Sequence, residues 1–139
     1  VRILQPAMKG AKVKAKGKVV IGTVRGDLHD IGKEVVVMLL SASGFDVADL
    51  GADVAVEAFV ETTRKEKPDI VAMSALLTTS MPEMERVVKA LEKAGLRKQV
   101  KVLIGGAPVD ARFAKRIGAD SYAEDAIKGV QLCNKWVAK

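Results

Sequence analysis

His29 is the only histidine of the chain and lies in the segment RGDLHDIGK (25–33), two residues after Asp27 and three before Gly32. A carboxylate at this spacing can hold one ring N–H and fix the tautomer, which leaves the other nitrogen free as a base or metal ligand. One histidine without a cysteine cluster cannot form a tetrahedral zinc site, so a metal that needs a single protein ligand fits better. A lone loop histidine beside an acid is also common without such a role.

Glycines and hydroxyl groups occupy two further segments. Gly32 and the pair Gly105-Gly106 are either ordinary turn residues or positions that leave room for a large group near the backbone. The chain contains neither GxGxxG after its first apolar run nor GxxxxGK[ST], so neither a dinucleotide site nor a P-loop is indicated. The segment SALLTTSM (74–81) adds hydroxyls on Ser74, Thr78, Thr79 and Ser80. Of these, Ser80 is expected to cap the helix that follows.

Five apolar runs predict the strands that carry these segments, at 18–24, 45–51, 69–75, 101–106 and 121–123. Because a helical pattern follows each run, we predict an α/β fold: a flavodoxin-like, doubly wound, five-stranded parallel sheet of the Rossmann-like type. Ligands of such sheets bind beyond the carboxyl ends of the strands, where the strand order reverses. RGDLHDIGK, SALLTTSM and GGAP (105–108) follow strands one, three and four, so they are expected to converge there.

The helices are predicted from their apolar stripes and end signals. The first is expected to bury Ile31, Val35, Met38, Leu39 and Ala42. The second is expected to begin with Asp53 as its N-cap and to end near Lys65. The third is expected to begin at Ser80 and Pro82 and to bury Met84, Val87, Val88 and Leu91. Two further helices are predicted, one over about 110–117 and one that ends near Val137.

Composition limits the possible partners. A chain of 139 residues with 49% hydrophobic residues fits one domain with a single core. The net charge of +6 comes from the first 26 residues, which hold seven basic residues and no acid. Since no aromatic residues alternate with these lysines, we expect a solvated linker and no nucleic-acid binding, with contact to an acidic partner as the alternative. Short apolar runs, no evident leader and one cysteine predict a cytoplasmic protein without membrane contact.

Three separated motifs together resemble a known family. Asp27-x-His29-x-x-Gly32, Ser74-x-Leu76 and Gly105-Gly106 are similar to the signature of the cobalamin-binding domains of corrinoid methyltransferases and adenosylcobalamin mutases. The resemblance covers about residues 17–137. The segments GKVVIGTVRGDLHDIGK and MSALLTTSM are most similar to sequences of the small corrinoid carrier proteins and of the cobalamin domain of methionine synthase. The carrier proteins serve methanol, methylamines and methoxylated aromatics.

The resemblance implies a role for each motif residue. His29 would bind the cobalt of cobalamin, as methylcobalamin or another corrinoid, after displacing its benzimidazole in the base-off, His-on mode. Asp27 would hydrogen-bond the imidazole, and Ser80 would be the third member of this chain. Gly105 and Gly106 would make room for the benzimidazole, and Thr78 and the loop from Tyr122 to Ala126 would line its channel. The further cofactor-binding residues would be Gly26, Leu28, Asp30, Ile31, Gly32, Ser74 and Leu76.

The same resemblance implies a carrier subunit more than a complete enzyme. It would pass a methyl group from a substrate-specific methyltransferase to an acceptor methyltransferase that uses tetrahydrofolate or a thiol, with a reductive activation protein as a further partner. Residues 1–17 would be the remnant of a helical cap module and its linker, and residues 18–139 the cobalamin-binding domain. Without a full cap, the upper corrin face would be open.

Three alternatives remain at this point. The domain could belong to a mutase or to a cobalamin-sensing regulator, although neither a substrate barrel nor a DNA-binding module is present. It could also be a receiver-like signalling domain. That class places a phosphoacceptor aspartate at the end of strand three, where this chain has Ser74.

Overall fold

The computed structural model describes residues 15–29, 31–106 and 108–138. Over these residues it contains five strands, β1 (Lys18–Thr23), β2 (Asp46–Asp49), β3 (Ile70–Ser74), β4 (Lys101–Gly105) and β5 (Ser121–Ala123). The α-helices are α1 (Ile31–Ala42), α2 (Val56–Glu66), α3 (Met81–Lys93), α4 (Ala111–Ile117) and α5 (Ala126–Val137), with 3-10 turns at Thr78–Ser80 and Arg97–Gln99. Most of residues 1–17, predicted as cap remnant and linker, lie outside the described ranges.

All described strands are parallel and follow the order β2-β1-β3-β4-β5, so the predicted α/β fold is confirmed. The order reverses between β1 and β3, as such a fold requires. Thr23 pairs with Ser74, and Ser74 pairs with Gly105, so β1, β3 and β4 end at the same level. The three loops of interest therefore begin side by side.

Alternate residues of each strand face opposite layers. One layer packs α2, α3 and α4 against the sheet, and the predicted inward residues of α3 are all fully buried: Met84, Val87, Val88 and Leu91. The other layer packs α1 and α5 against strand residues such as Ile21, Ala72 and Leu103. Within the described ranges, no helix has the length and apolar character needed to cross a bilayer.

The predicted buried face of α1 is wrong. Val35 and Met38 are 41% and 61% exposed, and the face turned to the protein carries Lys33, Val36, Val37 and Leu40. These four residues have the same i, i+3, i+4, i+7 spacing as an apolar stripe, but one of them is charged. Lys33 is tolerated inside because its ammonium contacts the Asp49 carboxylate at 2.6 Å and the Glu34 carboxylate at 2.8 Å.

Neither predicted helix cap forms its side-chain hydrogen bond, and one of the two is also misplaced. The N-cap position of α2 is Ala55, without a side-chain hydrogen bond, and Asp53 instead accepts a hydrogen bond from the N–H of Gly26. Ser80 occupies the N-cap position of α3, but no side-chain cap hydrogen bond is formed there. Its hydroxyl contacts the Asp27 carboxylate and the Leu77 carbonyl instead. In both cases the side chain that was expected to cap the helix hydrogen-bonds to a loop residue outside the helix.

Candidate functional site

The carboxylate of Asp27 joins the loop after β1 to the loop after β3. Its side chain has no exposed surface. Oδ1 accepts the His29 N–H at 3.0 Å and contacts His29 Nδ1 at 2.8 Å. Oδ2 accepts the N–H groups of Leu76 at 2.6 Å and Leu77 at 3.1 Å, and contacts the hydroxyl of Ser80 at 2.9 Å. The structure thus brings together Asp27, His29 and Ser80, which the sequence had singled out.

These donors keep Asp27 ionised. Burial by itself would raise the pKa of Asp27, but the N–H groups of Leu76 and His29, the His29 ring and the Ser80 hydroxyl outweigh it and hold the pKa well below its usual range. A carboxylate only accepts hydrogen bonds, so Nδ1 of His29 must be the donor. The lone pair then lies on Nε2, which has no hydrogen-bond partner among the described residues. With 55% of the His29 side chain exposed, Nε2 is available to a ligand.

An apolar cavity of about 590 Å³ opens beside His29. It lies between the sheet and the two helices α1 and α5, because its walls include Ile21, Val36, Ala72, Leu103 and Gly129. Of the residues predicted to bind a cofactor, those that line it are Leu28, His29, Gly32, Ser74, Leu76, Gly105, Gly106 and Ala126. The position is the predicted one, at the carboxyl ends of β1, β3 and β4.

Other predicted site residues lie elsewhere. Tyr122 does not line the cavity; it packs with the core on the opposite face of the sheet, because successive residues of β5 face opposite ways and Ala123 takes the cavity side. Thr78 is exposed in the 3-10 turn and does not line the cavity either. Gly26 takes part through its backbone N–H. Asp30 and the side chain of Ile31 lie outside what the structure describes.

Two glycines of the site differ in what a side chain would meet. At Gly106, with φ of +129°, a Cβ atom would lie 1.7 Å from the carbonyl oxygen of Ala75, so the close approach of two loops excludes any other residue. At Gly32, no described atom lies within 4 Å of the Cβ position. The protein's own packing therefore leaves this space open on the cavity wall, where a bound molecule can use it.

Several cavity residues were not found from the sequence. These residues are Lys33, Val36 and Gly129. Ala123, Glu124 and Asp125 also line the cavity, but they belong to the loop from Tyr122 to Ala126 that the resemblance had implied. Val36 and Gly129 could have been found only with the correct face of α1 and α5. Lys33 gave no signal, since a lysine in a helix is normally assigned to solvent.

The described residues also limit the kind of metal that the site can hold. No group of three or more His, Cys, Asp or Glu residues is placed to hold an ion in the described part of the chain. A metal that arrives inside its own macrocycle needs only one protein donor, which Nε2 of His29 offers. The apolar cavity of about 590 Å³ next to that donor suits a cofactor with a bulky organic tail. The donor and the cavity together fit a corrinoid.

A comparison with protein families decides the identity of the domain. Residues 17–131 match the model described as "B12 binding domain". The chain belongs to this B12-binding domain family. This match confirms the predicted corrinoid cofactor and the resemblance to cobalamin-binding corrinoid proteins.

Relatives of this B12-binding domain agree with the family match. "Trimethylamine corrinoid protein 2" of Methanosarcina acetivorans is 48% identical over 132 residues, which cover 94% of this chain and 61% of that protein. A solved cobalamin-binding protein from Desulfitobacterium hafniense is 44% identical with a TM-score of 0.87, over 99% of this chain and 67% of that one. The methanol:cobalamin methyltransferase complex MtaBC from Methanosarcina barkeri is 34% identical with a TM-score of 0.88, over 95% and 50%. This chain thus spans about 61% of the length of that trimethylamine corrinoid protein.

Proposed function

We propose that this domain carries a methyl group on a corrinoid that His29 ligates from below in the base-off, His-on mode. The observation that carries the proposal is the pairing of the exposed His29 ring with the buried Asp27 carboxylate at the mouth of an apolar cavity. When bound, the corrinoid would supply a cobalt centre that accepts and gives up a methyl group. The protein's part would be to offer Nε2 of His29 to the cobalt and to seat the cofactor's tail in the cavity.

Each residue then has a defined task. Asp27 fixes the His29 tautomer so that Nε2 presents its lone pair, and its negative charge makes that nitrogen a stronger donor. Ser80 donates to either Asp27 Oδ2 or the Leu77 carbonyl, both at 2.9 Å, since one hydroxyl has one proton. Leu28 and Leu76, 75% and 45% exposed beside His29, supply an apolar surface that a corrin ring would cover. The cavity would take the displaced benzimidazole between Gly32 and Gly105.

The proposed partners follow from the relatives. Curated relatives are named as trimethylamine and dimethylamine corrinoid proteins, and a similar solved structure is a complex with a methyltransferase. We therefore propose a methylamine-specific methyltransferase as donor partner and a second methyltransferase, with a tetrahydrofolate or thiol acceptor, as the other partner. A reductive activation protein would restore cobalt that has become oxidised. A cytoplasmic location fits this role, since the one cysteine, Cys133, is a free, buried thiol.

The test is the visible spectrum of the purified chain loaded with hydroxocobalamin and freed of excess cofactor. Wild type should retain the corrinoid, with axial-ligand bands that differ from those of His29→Ala. The His29→Ala variant should still retain corrinoid through the cavity, although more weakly. A folded wild type that retains no corrinoid, or whose bands match those of His29→Ala, contradicts the proposal.

A further inference from the structure

The loop that carries His29 depends on its neighbour after β2 for its backbone hydrogen bonds. The N–H of Gly26 donates to Asp53 Oδ1 at 2.8 Å, and the carbonyl of Asp27 accepts from the N–H of Asp53 at 3.0 Å. Next to these contacts, the N–H of Val54 donates to the Thr23 carbonyl at 2.9 Å. Asp53 therefore holds the backbone on both sides of the Gly26–Asp27 peptide, at the Gly26 N–H and at the Asp27 carbonyl.

Asp53 adopts a backbone conformation that most residues avoid. Its φ is +54°, in the left-handed region, where aspartate and asparagine are tolerated better than other side chains except glycine. A residue persists there only when its surroundings require it. In Asp53 the requirement is visible, because both its backbone N–H and its carboxylate contact the His29 loop.

The other end of the His29 loop is tied to the same neighbour. Lys33, in the first turn of α1, contacts both carboxylate oxygens of Asp49, at 2.6 and 2.8 Å. Asp49 also accepts the N–H of Gly51 at 2.9 Å, which fixes the start of the segment 49–54. This segment thus contacts the His29 loop before the histidine, through Asp53, and after it, through Asp49.

We propose that Asp53 is a positioning residue for the cobalt ligand, with Asp49 and Lys33 supporting it at the far end of the loop. The inference rests on the proposed function of His29. Asp27 orients the His29 ring relative to the loop after β3, but the backbone of Asp27 itself is held by Asp53. A metal–ligand bond requires its donor atom to be placed within about 0.5 Å. Loss of the Asp53 contacts would leave the Asp27 carboxylate bound to the loop after β3, but it would free the backbone of Gly26 and Asp27 to shift and so displace the His29 ring from the position that the metal requires.

Three variants separate this role from a general effect on stability. Asp53→Asn keeps a side-chain oxygen and tolerates positive φ, so it should behave like wild type. Asp53→Gly also accepts the backbone conformation but has no side-chain acceptor for the Gly26 N–H. Asp120→Ala is the control at the opposite edge of the sheet, where the Asp120 carboxylate accepts the Val102 N–H at 2.7 Å and pairs with the Arg97 guanidinium at 2.9 Å.

Methylcobalamin is the probe, because the spectrum of the bound cofactor would report whether His29 ligates the cobalt. The ratio of His-on to His-off protein should fall about five- to tenfold in Asp53→Gly, the effect of one lost hydrogen bond. It should stay near the wild-type value in Asp53→Asn and Asp120→Ala. In the cofactor-free chain, amide exchange at Gly26 should be about tenfold faster in Asp53→Gly alone, since this amide loses its acceptor.

Unchanged ligation in Asp53→Gly overturns the positioning role, and so does an equal loss of ligation in Asp120→Ala. If wild type itself shows the spectrum of His29→Ala, the proposed function fails and the positioning role falls with it. That outcome is recognisable because it appears before any Asp53 variant is compared. Failure of the positioning role alone leaves wild type and His29→Ala distinct.

Discussion

The carboxylate of Asp27 and the imidazole of His29 meet at 2.8 Å, although the first side chain is completely buried and the second is 55% exposed. The buried partner is fixed by donors from the loop after β3, and the outer nitrogen of the exposed partner has no hydrogen-bond partner among the residues that the structure describes. The buried Asp27 carboxylate thus orients the His29 ring, while Nε2 of that ring faces the solvent and the cavity. The predictions below test the parts of this arrangement separately.

Replacing Asp27 with asparagine should destabilise the cofactor-free protein. The amide would turn one acceptor into a donor among five donor groups and would leave at least one of them unpaired inside the protein. We expect a loss of about 2–4 kcal/mol in the free energy of unfolding. Urea unfolding measures it, with Asp120→Asn as the control, for which about 1 kcal/mol is expected. Equal losses in the two variants would contradict a special role of the Asp27 carboxylate.

The ion pair of Lys33 should make stability depend on alkaline pH. Burial alone would lower the pKa of Lys33, but the hydrogen bonds to Asp49 and Glu34 outweigh it and the pKa is raised above 10.5. A raised pKa means that the stabilisation is complete below pH 10.5 and is lost as the pH rises further. Lys33→Met should therefore be less stable than wild type at pH 8, and the gap should narrow above pH 10.5. Urea unfolding from pH 8 upwards measures the gap, and the exposed Lys89→Met is the control, expected to match wild type throughout.

The two neighbouring glycines at the end of β4, Gly105 and Gly106, should respond very differently to replacement by alanine. Gly106→Ala would force a Cβ atom against the Ala75 carbonyl in an unfavourable backbone conformation, with a loss of about 4 kcal/mol or more. Gly105→Ala would meet its first atom at 3.7 Å, an ordinary contact, and should lose less than about 1 kcal/mol. Thermal unfolding of both variants without cofactor makes the comparison. Similar midpoints would show that the close approach at Gly106 can relax.

Gly32→Ala should separate stability from cofactor binding. Position 32 lies in the first turn of α1 with open space around its Cβ position, so alanine should stabilise the chain by about 0.5 kcal/mol. The added methyl group would occupy space on the cavity wall, and corrinoid affinity should fall about tenfold. Equilibrium titration with hydroxocobalamin alongside urea unfolding gives both values. An unchanged affinity would mean that the corrinoid tail does not pass this wall.

Much of the fold and part of the site could be predicted because their signals are local. Apolar runs located the five strands, and the parallel connections between them then placed the loops of Asp27, Ser74 and Gly105 at one edge of the sheet. The family resemblance of these loops also predicted that Asp27, His29 and Ser80 contact one another. For such residues, the local sequence indicates both the strand and the residue at which the strand ends.

The features that were missed depend on pairs that are distant in the chain. Lys33 could be assigned to the inside of α1 only by knowing that Asp49 lies opposite. Asp53 looked like a helix cap because capping residues and loop clamps use the same side chains. The side on which Tyr122 lies follows from the register of a three-residue strand, which its short pattern does not define. Each of these needed a tertiary contact to settle the choice.

The two layers around the sheet differ in how well they are filled. On the side of α3, apolar side chains close the space, whereas the side of α1 and α5 keeps a hollow of about 590 Å³. An empty apolar hollow weakens the folded state, and a molecule that fills it adds to folding free energy in proportion to its occupancy. The cofactor tail would thus be a missing piece of hydrophobic core. Vitamin supply would then govern how long the protein survives in the cell as well as whether it works, since the unloaded form unfolds more often and reaches proteases sooner.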